Sequence, residues 1–158
     1  MAKKISGKKL ARNDEQKGVL FEDVKRFADD RGVFINVAFE AANDVTFKRS
    51  YIITNNQPGV VRAFHGHKKE AKLFYVPQGA FKFIVMDMES NEWKEYVLSE
   101  AVPKILYVSP GYYNGFVSLT EDALLVTYSS SKMEESVKDD FRLPYDTLGN
   151  EVWSIMSR

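Results

Sequence analysis

Two histidines and a lysine form the densest group of chemistry-bearing residues in the sequence. His65 and His67 stand two positions apart in a strand-like segment, and Lys72 follows shortly after them. Side chains at positions i and i+2 of a strand face the same side of the sheet. Two imidazoles on one face are a common metal platform, but such a pair also occurs on surfaces or hydrogen-bonded in a core. The pair by itself leaves its chemistry open.

The residues around this pair resemble the cupin fold family in their spacing. Gly59, His65, His67 and Gly79 match the first cupin motif, in which a glutamate stands where this chain has Lys72. The second cupin motif places a histidine after a Pro-x-Gly turn, where this chain has Asn114. The resemblance implies an all-β cupin fold, a double-stranded β-helix or jelly roll, in which two of the expected metal ligands are replaced.

The replacement by lysine changes the chemistry that this group of residues favours. An ammonium cannot coordinate a divalent cation, and its charge would disfavour one nearby. We therefore predict that the site uses no metal and no cofactor. A neutral imidazole beside a cation suits abstraction of a proton next to a carbonyl, since the cation stabilises the enolate as charge moves onto oxygen. The alternative for Lys72 is a solvated residue at a strand edge.

The elements that must hold these residues are short strands separated by turn residues, a spacing typical of a β-sandwich or barrel. A hairpin is predicted around Pro77 and Gly79, and weak helical patterns lie at 20–28 and 133–138. Residues 1–18 are polar and lysine-rich, which predicts a flexible or partner-docked arm, and residues 19–158 form a single domain. The predicted strands are 33–38, 46–53, 59–64, 71–76, 81–86, 93–98, 105–108, 115–119 and 124–129.

Composition narrows the possible functions further. The 158 residues have a formal net charge of zero, so no overall field favours binding to nucleic acid or an anionic membrane. The absence of cysteine excludes disulfides and a thiolate nucleophile. No apolar run reaches the length of a membrane span. We expect a cytoplasmic protein with neither nucleic acid nor membrane as a partner.

Longer segments resemble the RmlC-like cupins, the dTDP-4-dehydrorhamnose 3,5-epimerases. The resemblance runs from about Phe27 to Trp153, roughly four fifths of the chain. It implies a metal-independent isomerase that epimerises a dTDP-4-keto-6-deoxyhexose at C3 and/or C5 by proton abstraction beside the ketone. The segments that carry it are 30–34, 59–65, 71–73, 110–116 and 143–149 with Trp153.

The resemblance also implies roles for individual residues. His65 matches the general base, and Lys72 matches a lysine near the sugar carbonyl. Arg31 and Arg62 are similar to arginines that clamp the diphosphate, for which guanidinium groups are well suited. Phe34 resembles an aromatic residue near the nucleotide base.

Three departures from the family pattern concern the catalytic acid, the carboxylate that orients the base, and the substrate pocket. The tyrosine that serves as acid falls on Thr127, with Tyr128 one position later on the opposite strand face. The orienting carboxylate of the family lies beyond the tryptophan, and Asp146 is the candidate substitute here. Asn114 replaces a histidine of the substrate pocket.

A second family, the dTDP-sugar 3,4-ketoisomerases, resembles the chain through segments 30–32, 47–51 and 65–69. This resemblance gives catalytic roles to both His65 and His67 and a site role to Tyr51. A third alternative is a non-catalytic cupin that only binds the sugar nucleotide. Both enzyme families form dimers in which an N-terminal strand crosses to the partner, which implies a homodimer.

Overall fold

Short apolar runs alternate with turns along this chain, and they form antiparallel strands. The structure is a computed structural model and describes residues 4–37 and 44–155. A single short α-helix, α1 (Met133–Lys138), and a 3₁₀ helix (Asn150–Trp153) accompany the strands within these ranges. The strands are β1 (Val19–Asp23), β2 (Lys25–Asp29), β3 (Gly32–Asn36), β4 (Arg49–Thr54), β5 (Val61–His67), β6 (Lys72–Gln78), β7 (Ala80–Asp87), β8 (Trp93–Ser99), β9 (Lys104–Val108), β10 (Tyr112–Ser118), β11 (Leu124–Ser129) and β12 (Phe141–Arg142).

The strands form two five-stranded sheets and one small hairpin. The first sheet has the order β1-β9-β6-β11-β4, and the second has the order β12-β5-β10-β7-β8. Strands β2 and β3 pair only with each other among the described residues. Consecutive strands often lie in different sheets, as β9 and β10 do, which is the connectivity of a jelly roll.

The main core lies between the two large sheets and contains aromatic side chains from both. Phe74 of β6 packs against Phe83 of β7 with ring centroids 4.9 Å apart, and Phe83 also contacts Phe116 of β10. These three rings are buried, and each contributes about 1.5–3 kcal/mol to folding by leaving water. Phe74 and Phe116 lie at one end of the sandwich, beside several of the predicted site residues.

Two local predictions from the sequence are wrong. Strands β6 and β7 do not form a hairpin, because Gly79, with a φ of 73°, turns the chain from one sheet into the other. Residues 20–28 are not helical, because Val19–Asp23 pairs with β9 and Lys25–Asp29 pairs with β3. The predicted helix at 133–138 is confirmed as α1.

The flexible N-terminal arm is not confirmed. Residues 5–10 lie against the domain, where the backbone of Leu10 donates to the carbonyl of Trp93 and that of Ile5 donates to Thr147. The side chain of Gln16 is buried, and its amide donates to the carbonyl of Val85 at 3.1 Å. The described part of this segment is therefore packed.

Within the described ranges, no helix has the length and apolar character that crossing a membrane requires.

Candidate active site

A cavity of about 430 Å³ opens between the two sheets at one end of the sandwich. This is an ordinary size for a small-molecule site. It brings together five of the residues predicted from the sequence, namely Tyr51, Arg62, His65, Lys72 and Asn114. The remaining lining residues are apolar, and they are Ile53, Val61, Ala63, Phe74 and Phe116.

His65 lies in β5 and is flanked by two neighbouring strands. It pairs with Asn114 of β10 on one side and with Arg142 of β12 on the other. Burial lowers the pKa of His65, and the positive charge of Arg142 lowers it further. A histidine with a lowered pKa is neutral at pH 7 and can accept a proton, as a general base must.

Asp140 is the carboxylate that faces His65. Its Oδ1 lies 3.6 Å from Nδ1 of His65, and that oxygen is buried without a hydrogen-bond partner among the described residues. Burial alone would raise the pKa of Asp140, but the hydrogen bond and charge of Arg142, together with the two histidines, keep this pKa below its usual value. An ionised carboxylate at this position favours the His65 tautomer with hydrogen on Nδ1 and leaves Nε2 as the base.

The sequence reasoning missed Asp140 and named Asp146 instead. Asp146 lies in the turn after β12, where its carbonyl accepts from the backbone of Gly149. In the sequence, the acidic pair Asp139–Asp140 immediately before β12 was the available indication of a carboxylate for this role. The carboxylate of Asp139 accepts hydrogen bonds from the backbone of Lys68, Lys69 and Glu70, so it fixes the turn that follows the two histidines.

Lys72 begins β6 and is buried, with its ammonium at the wall of the cavity. Burial lowers the pKa of Lys72, while the negative charge of Glu70 acts in the opposite direction. Nζ of Lys72 lies 3.1 Å from Nε2 of His67. The second histidine therefore contacts the lysine and does not line the cavity with His65, contrary to a catalytic role for His67 at the substrate.

Glu70 lies behind His67 and was not recognised from the sequence. Its Oε2 is 3.2 Å from Nδ1 of His67, although this approach is not aligned for a regular hydrogen bond. The side chain has no exposed surface, and the hydroxyls of Ser129 and Ser136 donate to it at 2.5 and 2.6 Å. Burial would raise the pKa of Glu70, but Lys72 and these hydroxyls keep it below its usual value.

Tyr51 of β4 is next to Thr127 of β11 in the strand register, and Thr127 is the position of the family's acid. Thr127 is fully buried and faces the interior, so Tyr51 brings a phenol to this part of the cavity. The guanidinium of Arg49 lies 4.9 Å from the Tyr51 ring centroid. Burial and the negative charge of Glu70 raise the pKa of Tyr51 to about 12, so the phenol keeps its proton at pH 7.

Arg62 is the exposed cation of the cavity. Its Nε donates to Oδ1 of Asn55 at 2.8 Å, which holds the guanidinium while leaving donors available to a ligand. Asn114 is buried on the neighbouring strand opposite His65. These positions agree with the predicted substrate-binding roles, which stay predictions.

Besides His67 and Asp146, three more of the predicted residues lie away from the cavity. Tyr128 lies on the opposite face of β11, where its ring packs 6.2 Å from that of Phe47. Arg31 and Phe34 lie on the β2–β3 hairpin, where Arg31 forms an ion pair with Asp29 and Phe34 is 63% exposed. None of the three is among the described residues that line the cavity.

The two histidines do not converge on a common point, because Nε2 of His67 faces the Lys72 ammonium. Among the described residues, no group of three or more His, Cys, Asp or Glu side chains could hold a metal ion. This donor set does not fit the metal centre of other cupins, and the prediction of a metal-free site stays a prediction.

Comparison with solved structures confirms the fold. A dTDP-4-dehydrorhamnose 3,5-epimerase from Bacillus anthracis, with TDP and PPi bound, matches with a TM-score of 0.75 at 22% identity over 84% of this chain and 83% of that one. The 3,4-ketoisomerase QdtA from Thermoanaerobacterium thermosaccharolyticum, as a mutant in complex with TDP-4-keto-6-deoxyglucose, matches with a TM-score of 0.68 at 21% identity over 85% and 94%. The predicted all-β cupin fold is therefore correct.

Sequence comparison identifies the family. The spore coat polysaccharide biosynthesis protein SpsL of Bacillus subtilis is 26% identical over 140 residues, which cover 84% of this chain and 93% of SpsL. The family model described as dTDP-4-dehydrorhamnose 3,5-epimerase matches residues 14–154. This match confirms the predicted isomerase class. The chain belongs to the dTDP-4-dehydrorhamnose 3,5-epimerase family.

Proposed function

We propose that this protein epimerises a dTDP-4-keto-6-deoxyhexose at C3 and/or C5, with His65 as the general base. The observation that carries the proposal is the His65–Asp140 pair at the cavity that Lys72 also lines. A neutral imidazole with an orienting carboxylate and a nearby ammonium provides the groups that enolisation of a ketosugar needs.

In the first step, Nε2 of His65 removes the proton from the carbon beside the ketone. The C–H electron pair forms the carbon–carbon double bond of an enolate, and the carbonyl electrons move onto oxygen. The Lys72 ammonium stabilises that oxygen by its charge. Asp140 stabilises the imidazolium that forms, since Nδ1–H faces its carboxylate.

In the second step, the enolate takes a proton on the opposite face of the same carbon. Tyr51 is the proposed acid, because its phenol lies in the cavity beside Thr127, where the family has its tyrosine. The pKa of about 12 keeps the phenol protonated until the enolate forms. The enolate electron pair takes the phenol proton and the ketone is restored. His65 then releases its proton to solvent and the phenolate takes one from solvent, so both groups return to their starting states.

The substrate's diphosphate is assigned to Arg62, the exposed cation of the cavity. Arg31 and Phe34 would bind the nucleotide in the cavity of a second copy, as a homodimer with exchanged N-terminal strands requires. The hairpin that carries them supports this assignment, because an isolated two-stranded hairpin is marginally stable. Phe27 and Phe34 are 59% and 63% exposed on it, and they offer an apolar surface to a partner.

The orientation of His67 favours epimerisation over ketoisomerisation. The ketoisomerase hypothesis gives catalytic roles to both histidines, whereas His67 faces Lys72 and Glu70. The cavity, which Arg62 and Lys72 line together with apolar side chains, also supports a small nucleotide-linked substrate in place of nucleic acid or membrane. We propose that the protein acts in the cytoplasm.

Product analysis tests the proposal. The protein is incubated with dTDP-4-keto-6-deoxyglucose, and the product is reduced with borohydride and identified by NMR. A changed configuration at C3 or C5 with the carbonyl still at C4 supports the proposal. A carbonyl at C3 would instead establish the ketoisomerase, and unchanged substrate would leave only the binding function.

A further inference from the structure

Behind the cavity, Lys72 contacts a chain of two buried polar side chains, His67 and Glu70, that the proposed reaction steps do not use. Nζ of Lys72 contacts Nε2 of His67 at 3.1 Å, and Nδ1 of His67 approaches Oε2 of Glu70 at 3.2 Å. His67 and Glu70 are both buried, and neither is among the described residues that line the cavity. Lys72 is the proposed catalytic group that His67 contacts directly, and Glu70 lies behind His67.

Glu70 is held firmly as a carboxylate. Ser129 and Ser136 each donate a hydroxyl hydrogen bond to it, and the guanidinium of Arg49 lies 3.3 Å from Oε1. The backbone of Glu70 is fixed as well, because it donates to the carboxylate of Asp139 at 3.2 Å. Placing a charge in a core is costly unless it is hydrogen-bonded and balanced by an opposite charge.

Lys72 is a buried cation that His67 links to this carboxylate. We propose that Glu70 and His67 are positioning residues, which keep the buried Lys72 amine charged and fix it at the cavity wall. Neutral His67 accepts a hydrogen bond from the ammonium at Nε2, while Glu70 supplies the negative charge beyond it. This proposal rests on the proposed function, since it explains how Lys72 serves as the cation that stabilises the enolate oxygen.

Several charged or titratable groups act on Lys72 besides these two. The positive charge of Arg49 lowers the pKa of Lys72, and the negative charge of Asp140 raises it. Neutral His65 and protonated Tyr51 line the same cavity and add no charge at pH 7. Glu70 is the largest of the charges that counteract the burial of Lys72. Its removal should therefore release the proton of Lys72 at lower pH.

Direct titration of Lys72 tests the proposal without any need for turnover. Protein labelled with ¹³C at lysine Cε is titrated by NMR, and the Lys72 signal is identified by its loss in Lys72→Arg. In Glu70→Gln the titration midpoint of Lys72 should fall by about one pH unit, because a nearby opposite charge is lost. In Glu121→Gln, a matched change at an exposed turn, the midpoint should stay at the native value.

A second variant keeps the test decisive if Glu70→Gln does not fold. His67→Phe removes the acceptor between Lys72 and Glu70, so the midpoint should fall there as well. An unchanged midpoint in the folded variants would overturn the proposal.

The pH dependence of kcat links this titration to the reaction. The basic limb of the profile should move to lower pH in Glu70→Gln, with little change in KM. A fallen midpoint with an unmoved limb would overturn the positioning role in catalysis. A native protein without turnover would refute the proposed epimerase, while the NMR titration would still decide how Glu70 acts on Lys72.

Discussion

Oδ1 of Asp140 lies 3.6 Å from Nδ1 of His65. His65, the candidate base, lies in β5, and Asp140 is the residue just before β12, which pairs with β5. Asp140→Asn should lower kcat by about 10²- to 10⁴-fold, because the amide no longer stabilises the imidazolium or selects its tautomer. Steady-state kinetics measures this loss. Asp122→Asn, on an exposed turn, is the matched control.

The same substitution should also move the pH profile. Asp140 raises the pKa of His65 against the effects of burial and Arg142, so its removal lowers this pKa further. The base must be neutral to act, and activity rises as pH rises through the pKa of His65. The acid limb of kcat/KM should therefore move to lower pH in Asp140→Asn, while a limb that moves upward would contradict the assignment.

Tyr51 and Tyr128 are the two candidate acids, and one experiment separates them. In Tyr51→Phe, His65 can still remove and return a proton on one face, but the opposite face lacks a donor. Deuterium from solvent should enter the substrate while epimerised product falls by about 10²-fold or more. Tyr128→Phe should leave the ratio of product to exchange unchanged, because Tyr128 packs on the outer face of β11. The reverse result would assign the acid to Tyr128.

Arg62 should affect binding more than chemistry. Arg62→Ala removes the exposed guanidinium of the cavity, and the affinity for dTDP should fall about tenfold or more by calorimetry. The exchange rate at saturating substrate should change little. Arg12→Ala, an exposed change in the N-terminal segment, is the control. Unaltered affinity with a large loss of kcat would place Arg62 among the reacting groups.

Gly115 is required by close packing between β5 and β10. A Cβ at this position would lie 2.4 Å from Cβ of Ala63 and 2.9 Å from the ring of Trp153. Gly115→Ala should therefore destabilise the fold by about 1–3 kcal/mol through overpacking. Thermal denaturation measures this effect, with the exposed Ser50→Ala as the control. A Tm equal to that of the native protein would show that the sheet accommodates the methyl group.

The sequence was sufficient to predict most strands, because they are short apolar runs bounded by turn residues. It did not reveal which sheet each strand joins, so the turn at Gly79 was interpreted as a hairpin. Local alternation describes one strand, whereas the connection between sheets is determined by packing of the whole core. The N-terminal segment illustrates the same limit, since its polar composition conceals the buried contacts of Gln16.

Motif spacing and the family resemblance were sufficient to predict about half of the candidate site residues. His65, Lys72, Tyr51, Arg62 and Asn114 all line the cavity as expected. The alternation of a strand predicted one shared face for His65 and His67, but His67 lies at the end of β5 beside the turn that Asp139 fixes. The roles of Asp140 and Glu70 required the tertiary structure, because His65 is distant from Asp140 in the sequence, and Ser129 and Ser136 are distant from Glu70.

Solvent exchange tests the central claim most directly. The native protein is incubated with a dTDP-4-keto-6-deoxyhexose in deuterated water, with His65→Asn as the parallel variant, and the recovered sugar is analysed by NMR and mass spectrometry. Deuterium should enter at the carbon beside the ketone with native protein, and His65→Asn should reduce incorporation to the uncatalysed rate while still binding dTDP. Incorporation by native protein no faster than the uncatalysed rate would contradict proton abstraction by His65.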